Sequence, residues 1–132
     1  MQLKMTTDYA LRILAYLAEK QCVTSSTELS EQLNIPQPYV LRIGRMLKKK
    51  TYVDVLIGPF GGLALTKDPE EISIYDIVLV TEQEIQFDRR RENEKRNPKK
   101  TAPYLGVYVF LDNLQCLVEE EMKTKTLASL LA

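Results

Sequence analysis

One proline divides the most informative stretch of this 132-residue chain, residues 25–50, into two short helical patterns. Proline lacks a backbone N–H and disfavours helical geometry in the residue before it. Pro36 therefore predicts that one helix ends near Leu33 and that another begins near Gln37. We expect two helices joined by a tight turn, and this arrangement limits the folds open to the rest of the chain.

The second of these helices combines an apolar stripe with basic remaining faces. Its apolar side chains recur at three- and four-residue spacing and are expected to face a core: Val40, Ile43, Met46 and Leu47. The same segment holds five cations and no Asp or Glu: Arg42, Arg45, Lys48, Lys49 and Lys50. A charged helix face is usually only solvated, but such faces mostly mix signs to gain pairs four residues apart. The uniform sign favours nucleic-acid binding over a solvated face.

A β-hairpin pattern follows the basic helix directly. Residues 52–57 are rich in β-branched and aromatic side chains, residues 58–62 are turn-forming, and residues 63–65 resume the apolar pattern. Two helices and a hairpin in this order are typical of a winged helix-turn-helix, whose second helix fits the DNA major groove. We therefore predict a mainly α fold with a small β-hairpin wing, and double-stranded DNA as a partner.

The flanking segments predict further helices and one irregular region. Thr7 and Asp8 are expected to cap a first helix, and Ser73 a short helix after the wing. Residues 82–102 are almost entirely polar, which predicts a flexible loop; a second basic patch against DNA is the alternative. The predicted units are a DNA-binding domain at 1–81, a flexible polar loop at 82–102, and a dimerisation helix with a C-terminal turn at 103–132.

A long amphipathic helix is predicted from Pro103 to Lys123. It carries a broad apolar stripe that a small winged helix has little core left to cover: Val107, Phe110, Leu111, Leu114, Leu117 and Val118. A second copy of the same helix is a natural partner and gives a two-fold homodimer, whereas the alternative is a helix folded back on its own domain. Thr126 is expected to cap a last turn, and the leucines of that turn are expected to clasp the partner: Leu127, Leu130 and Leu131.

The formal net charge is zero, but the two halves of the chain differ in sign. Residues 1–67 carry nine Lys or Arg against five Asp or Glu, and residues 68–132 carry nine against 13. The basic half contains the helix-turn-helix pattern, so a neutral chain is compatible with a DNA partner. No apolar run approaches the ~20 residues of a membrane span, and no signal-peptide pattern is present. We expect a cytoplasmic protein without a membrane partner.

Enzymatic activity is the function class with least support in the sequence. The chain has no histidine, and it shows neither a phosphate-binding loop nor a metal-ligand spacing. The acidic residues 119–121 are adjacent on a predicted helix, so their side chains point in different directions and do not converge on one substrate. We expect no enzyme.

Four motifs together resemble the Rrf2 family of bacterial transcriptional regulators over nearly the whole chain. They are Met5 to Arg12 at the start, Ile35 to Leu41, Gly58 to Gly62 at the wing, and Pro69 to Ile77 after it. The resemblance implies a sequence-specific regulator, expected to be a repressor, that acts as a homodimer on an inverted-repeat operator. It also implies that the long C-terminal helix carries the dimer contact.

Candidate DNA contacts follow from the predicted helices and wing. Gln37, Tyr39 and Arg42 are the candidates for base edges or the nearby backbone. Arg45 and Lys48 are better placed for phosphates. The remaining candidates are Lys49, Ser26 and Thr27 at the start of the preceding helix, and Gly58, Gly61 and Gly62, where main chain can approach phosphate closely. The resemblance adds Lys4, for which a solvated lysine is an equal alternative.

Cofactor binding is where the chain departs from the family it resembles. Several Rrf2-type regulators hold an iron–sulfur cluster on three cysteines in the loop before the dimer helix, and residues 82–103 contain none. The two cysteines, Cys22 and Cys116, lie far apart in sequence, and cluster ligation needs several converging thiolates. We predict no cluster and two small packed cysteines in a reducing cytosol, with a redox role for either cysteine as the alternative. A small-molecule effector, a protein effector and no effector remain open.

The wing also departs from the family pattern. Val55, Ile57 and the Leu63-Ala64 pair stand where relatives often carry Ser, Arg and Tyr-Arg, and Asp54 adds a negative charge. A weaker hold on phosphate is expected. This change motivates a rival hypothesis, in which the chain is a winged-helix interaction module that binds DNA weakly or not at all and uses its apolar wing to contact another protein.

Overall fold

The computed structural model describes residues 2–82, 85–88, 95–96 and 104–131. Within them, the helices are α1 (Met5–Lys20), α2 (Ser26–Leu33), α3 (Gln37–Lys49), α4 (Ile74–Glu82) and α5 (Leu105–Thr124). The strands are β1 (Val53–Leu56) and β2 (Gly62–Leu65), and short 3-10 turns cover Pro69–Glu71 and Ala128–Leu130. The predicted class, mainly α with a small β-hairpin wing, is confirmed.

The core lies between α1, α2, α3, the base of the wing and α4. Its fully buried side chains include Ala10, Ile13, Leu14, Leu17, Leu29, Ile35, Val40, Ile43, Leu47, Val53 and Ile77. Met46 was predicted to face this core but is only half-buried, at the edge of a surface pocket lined by Leu79 and Val80 of α4. Gly44 is buried instead, because the side chain of Leu63 packs directly against it.

The break between α2 and α3 is the one predicted. Helix α2 ends at Leu33, Asn34 adopts the left-handed conformation at φ 54°, and Pro36 is the N-cap of α3. Helix α2 begins at Ser26, and its N-cap is Ser25. The N–H of Glu28 donates to Ser25 Oγ at 3.1 Å, which satisfies one of the free donors of the first turn.

Helix α1 begins two residues before its predicted cap. It starts at Met5, and Lys4 occupies the N-cap position without a side-chain hydrogen bond. Thr7 is buried, and its hydroxyl donates to Glu82 Oε1 at 2.7 Å and pairs with the hydroxyl of Thr81. The prediction of a Thr7-Asp8 cap was wrong, because this hydroxyl joins α1 to α4.

The wing is an antiparallel hairpin anchored to the linker before α2. Its register pairs Val53 with Leu65 and Val55 with Leu63. Thr24 and Leu63 exchange two backbone hydrogen bonds, of 2.9 and 2.8 Å. The hairpin is therefore held at its base both by the core and by the segment that leads into the helix-turn-helix.

The C-terminal helix packs against α4, and the chain then returns to the core. The N–H of Ile74 donates to the Lys125 carbonyl at 2.9 Å, and that of Leu127 donates to the Ile72 carbonyl at 2.8 Å. Leu127 is 1% exposed, so its predicted role in clasping a partner was wrong: it completes the core of its own chain. Two predicted caps are confirmed, with Asp76 N–H bonded to Ser73 Oγ at 3.0 Å and Ser129 N–H to Thr126 Oγ1 at 3.2 Å.

Most of the predicted loop at 82–102 lies outside the described residues. Residues 85–88 are described, and they are held against α5 by one amide side chain. The N–H of Phe87 donates to Gln115 Oε1 at 3.1 Å, and Gln115 Nε2 donates to the Ile85 carbonyl at 2.8 Å. The three predicted domain boundaries stay predictions.

Candidate nucleic-acid interface

Helix α3 presents a continuous basic surface to solvent. We call it the basic ridge and define it as Arg42, Arg45, Lys48, Lys49 and Lys50, all exposed. Within the described residues, no carboxylate lies within ion-pair distance of any of them, whereas three other surface pairs do form. The opposite side of α3 is buried in the core, so the helix is fixed in rotation with its cations outward. Unpaired cations on a rigid helix are available to phosphates and base edges.

Three of the predicted DNA contacts meet at the start of α3. Gln37 Nε2 donates to Ser26 Oγ at 3.1 Å and to Thr27 Oγ1 at 3.4 Å. The first residue of the second helix is thereby tied to the first turn of the helix before it. These bonds fix the spacing of the two N-termini, whose backbone N–H groups favour an anion such as phosphate.

Tyr39 is held by an aromatic contact with α1. Its ring meets that of Tyr9 edge to face, with centroids 5.8 Å apart and planes at 70°, and 37% of the residue stays exposed. Arg12 lies over the same Tyr9 ring at 5.5 Å, pairs with Asp8 at 2.6 Å, and donates to the Leu33 carbonyl at 3.3 Å. This group orients Tyr39, and the Arg12 hydrogen bond satisfies the carbonyl of the last residue of α2.

The positioning roles of Tyr9 and Arg12 were not predicted. Asp8 and Arg12 are four residues apart on a helix, a spacing from which their ion pair could have been predicted. Nothing in the local sequence shows that this pair lies behind Tyr39. Ser25 was also missed, although Ser25 followed by Glu28 has the spacing of a capping box.

A groove separates α3 from the wing. Its volume is about 330 Å³, and its lining includes Ser26, Thr27, Leu41, Leu56 and Pro59. Leu41 is 46% exposed and belongs to the same side of α3 as Gln37 and Lys48. The groove is shared by the wing, the start of α2 and the side of α3 that carries Leu41.

The three wing glycines have different surroundings. Gly58 has φ 119°, and a side chain there would enter open space. A Cβ on Gly61 would collide with the Leu56 carbonyl, and one on Gly62 with the Thr24 carbonyl. Gly61 and Gly62 are thus needed for the wing to fold and to reach the α2 linker, whatever they contribute to a phosphate contact.

The base of the wing carries a shielded tyrosine. Burial, and to a lesser extent the charge of Asp76, raises the pKa of Tyr52 above its ordinary value of 10.0. The ammonium group of Lys67 lies 4.9 Å from the Tyr52 ring centroid. The cation therefore packs on the aromatic ring at the base of the hairpin.

Lys4 is placed differently from the other DNA candidates. Its backbone N–H donates to Glu82 Oε1 at 2.6 Å, at the end of α4, and its side chain is exposed. Lys49 belongs to the basic ridge but also borders the pocket formed with Leu79 and Val80.

Helix α5 leaves a large apolar area uncovered. Val107, Phe110 and Leu117 are 54%, 63% and 65% exposed in the single chain. Leu111, Leu114 and Val118 are half-buried, since this side of the helix is turned towards the chain's own domain. The predicted dimer stripe is therefore divided between an exposed edge and an edge already packed.

The described residues contain no group of three or more His, Cys, Asp or Glu side chains that could hold a metal ion. Cys22 and Cys116 are both exposed, so the prediction that they are small packed residues was wrong. Two thiols and no histidine in the whole chain do not fit the four ligands that an iron–sulfur cluster takes from protein. Within the described residues, no helix is long and apolar enough to cross a membrane.

The fold and the basic ridge define a winged helix-turn-helix protein. The chain matches the Rrf2 family, described as iron-dependent transcriptional regulators, over residues 3–132. It therefore belongs to the Rrf2 family, and the predicted resemblance is confirmed. The family is one of transcriptional regulators and not of enzymes.

Individual relatives agree with this assignment. The chain is 34% identical over 89 residues to the HTH-type transcriptional regulator NsrR of Shouchella clausii, covering 66% of this chain and 60% of that protein. It is 32% identical over 84 residues to NsrR of Bacillus subtilis, covering 62% and 58%. The aligned segment thus spans less than two thirds of these relatives.

Solved structures share the fold over nearly the whole chain. CymR, the global cysteine regulator of B. subtilis, superposes with a TM-score of 0.79 at 25% identity and covers 99% of this chain and 96% of its own. T. potens IscR gives a TM-score of 0.76 at 22% identity, covering 99% and 86%. The second likeness concerns the fold alone.

Proposed function

We propose that this protein is a cytoplasmic, sequence-specific DNA-binding regulator of transcription, and a repressor, that acts as a homodimer on an inverted repeat. The basic ridge is the observation that carries the proposal. Its cations point away from the core and have no carboxylate partner within the described residues. Membership of the Rrf2 family and the similarity to NsrR regulators support the same function.

Different residues of α3 contact the bases and the phosphates. Arg42 is exposed and has no ion-pair partner in the part of the chain that the structure describes, so its planar guanidinium can donate two hydrogen bonds to a guanine. Gln37 already donates to Ser26 and Thr27, so it reads an adenine only by exchanging those bonds. Arg45, Lys48 and Lys49 bind phosphates and set the register of the helix on the duplex.

A homodimer is supported by the uncovered edge of α5. The exposed Val107, Phe110 and Leu117 lie at three- and seven-residue steps, and a second copy of the helix covers them with the same residues in an isologous contact. Two recognition helices then face the same side of a duplex. Their half-site centres lie about 34 Å apart, one turn of DNA.

The protein is proposed to work without an iron–sulfur cluster, because its two cysteines are too few to ligate one. Anaerobic reconstitution with iron and sulfide is expected to leave the visible spectrum without a charge-transfer band. A band that survives desalting, with stoichiometric iron, would contradict this part of the proposal.

Selection from a random duplex library tests the function directly. The full chain is expected to enrich an inverted repeat with half-sites about one helical turn apart. Arg42→Ala is expected to enrich no common sequence or a relaxed one, and Lys20→Ala, which also removes one exposed cation, is expected to select the native sequence. Enrichment of nothing by the native protein would refute the proposal.

The rival function, a protein interaction module, is favoured by one observation: Ile57 and Phe60 at the tip of the wing are almost fully exposed. That function predicts no enriched duplex and a protein ligand whose binding is lost when the tip is made polar. The same library selection therefore separates the two functions.

A further inference from the structure

The tip of the wing presents two large apolar side chains to solvent. Ile57 is 98% exposed and Phe60 is 95% exposed, more than any other large apolar side chain among the described residues. They flank Gly58 and Pro59, and the turn is closed by a 3.0 Å hydrogen bond from the Gly61 N–H to the Gly58 carbonyl. Single exposed apolar residues are common on proteins, but two at the end of a defined turn form a contact surface.

The base of the wing is fixed relative to α3. Leu63 on β2 is buried, packs on Gly44 of α3, and shares two backbone hydrogen bonds with Thr24. The groove between tip and helix is lined by Leu41 and Ser26. The turn residues Gly58 and Pro59 and the side of α3 that carries Leu41 therefore border one groove. Lys48 lies on that same side of α3, so a duplex held there would lie beside the tip.

The chemistry of the tip does not suit phosphate. Residues 51–66 contain one charged side chain, Asp54, and no cation. Base steps are a better match, because proteins that enter the minor groove use Ile, Phe and Pro as wedges that partly unstack neighbouring base pairs. The minor groove is about 6 Å wide, which admits a narrow turn but not a helix.

The size of the apolar surface also favours DNA over a protein partner. Ile57 and Phe60 together expose on the order of 400 Å², about half of the ~800 Å² that each partner contributes to a stable protein interface. The same area is sufficient for a contact that only adds to DNA binding by the basic ridge. Two side chains are enough for a wedge between base steps, whereas an independent protein-docking site needs a larger area.

We propose that Ile57 and Phe60 are specificity-determining residues that enter the minor groove beside each half-site and widen or kink it at a flexible base step. This rests on the proposed function, because it requires the basic ridge to hold the duplex. Sequence is then read at base pairs outside the reach of α3, through the ease with which the step deforms. Pyrimidine–purine steps deform most easily and are the steps expected there.

The test compares native protein, Ile57→Ser/Phe60→Ser and the control Val109→Ser on the duplex that the native protein selects. Val109 is 50% exposed on α5 and points away from the edge that carries Phe110, so the control also replaces an exposed apolar residue with serine. The wing variant is expected to lose about tenfold to a hundredfold in affinity. It also loses the preference for a pyrimidine–purine step in the flank. Because no phosphate contact is removed, the salt dependence of its binding stays native.

Bending supplies a second readout. A duplex labelled at both ends is expected to show lower energy-transfer efficiency with the wing variant than with native protein, while the control matches native. Native affinity, flank preference and bending in the wing variant would overturn the wedge and leave the proposed function standing. A wing variant that binds DNA normally but loses a protein ligand would assign the tip to that ligand. Failure of the native protein to bind any duplex would remove both proposals.

Discussion

A single substitution on α5, Phe110→Asp, tests whether the exposed edge of this helix is a dimer contact. Phe110 is 63% exposed in the single chain, so the change should leave the fold of one protomer intact. In a two-fold dimer the same change occurs twice, and each new carboxylate lies close to the symmetry-related helix. The substitution therefore removes apolar contact and adds like-charge repulsion at one place.

The magnitude follows from the exposed area. A phenylalanine side chain has roughly 200 Å² to bury, so its 63% exposure leaves about 130 Å² for a partner. At about 25 cal/mol per Å² this contributes ~3 kcal/mol per protomer and ~6 kcal/mol per dimer as an upper limit. Half of that limit already weakens dimerisation by more than a hundredfold.

Sedimentation velocity between 1 and 50 μM, on the order of cellular to preparative concentration, measures the effect. We expect native protein to sediment as a dimer and Phe110→Asp as a monomer with an unchanged circular dichroism spectrum. Val109→Asp is the matched control: Val109 is 50% exposed, but one residue along a helix turns the side chain by about 100°, away from the Phe110 edge. A native monomer, or a Phe110→Asp variant that dimerises as tightly as native, would refute the reasoning.

Two further changes probe the parts that position the interface. Ser25→Ala removes the N-cap of α2 and should cost about 1 kcal/mol, which lowers the melting temperature by roughly 3 to 5 °C; an unchanged melting temperature would show that the cap bond contributes nothing. The raised pKa of Tyr52 means that folding favours its protonated form, so its stabilisation is complete below pH about 10 and is lost as pH rises through the raised folded value. Urea unfolding at rising pH should therefore show a steeper loss of stability in native protein than in Tyr52→Phe, and parallel curves would contradict this.

Local sequence chemistry was sufficient for the helix-turn-helix and the wing. Pro36 ends one helix and starts the next through its own covalent geometry. The apolar side chains after Lys50 predict two strands, and pairing these strands in a hairpin places Val53 and Leu63 in the core. These features depend on neighbours in sequence. They were predicted with nearly the observed bounds.

Features that depend on distant parts of the chain were not predicted. Thr7 is a residue type that often caps helices, but its hydroxyl instead forms hydrogen bonds with Glu82 and Thr81 of α4 in the interior. Leu127 has the pattern of an apolar helix face, and no pattern tells whether such a residue fills its own core or a partner's. The apolar character of the wing was predicted from residues 55–57 and 63–65, but the near-complete exposure of Ile57 and Phe60 at its tip was not predicted.

The salt dependence of binding to the selected duplex tests the central claim, that the basic ridges of two protomers neutralise DNA phosphates together. If each protomer neutralises three or four phosphates, a polarisation titration from 50 to 300 mM salt should give a log–log slope of about −5 to −7. Lys48→Ala, which removes one phosphate contact per protomer, should reduce the slope by about 2 in the dimer. A slope near zero, or the same slope in native protein and Lys48→Ala, would contradict the claim.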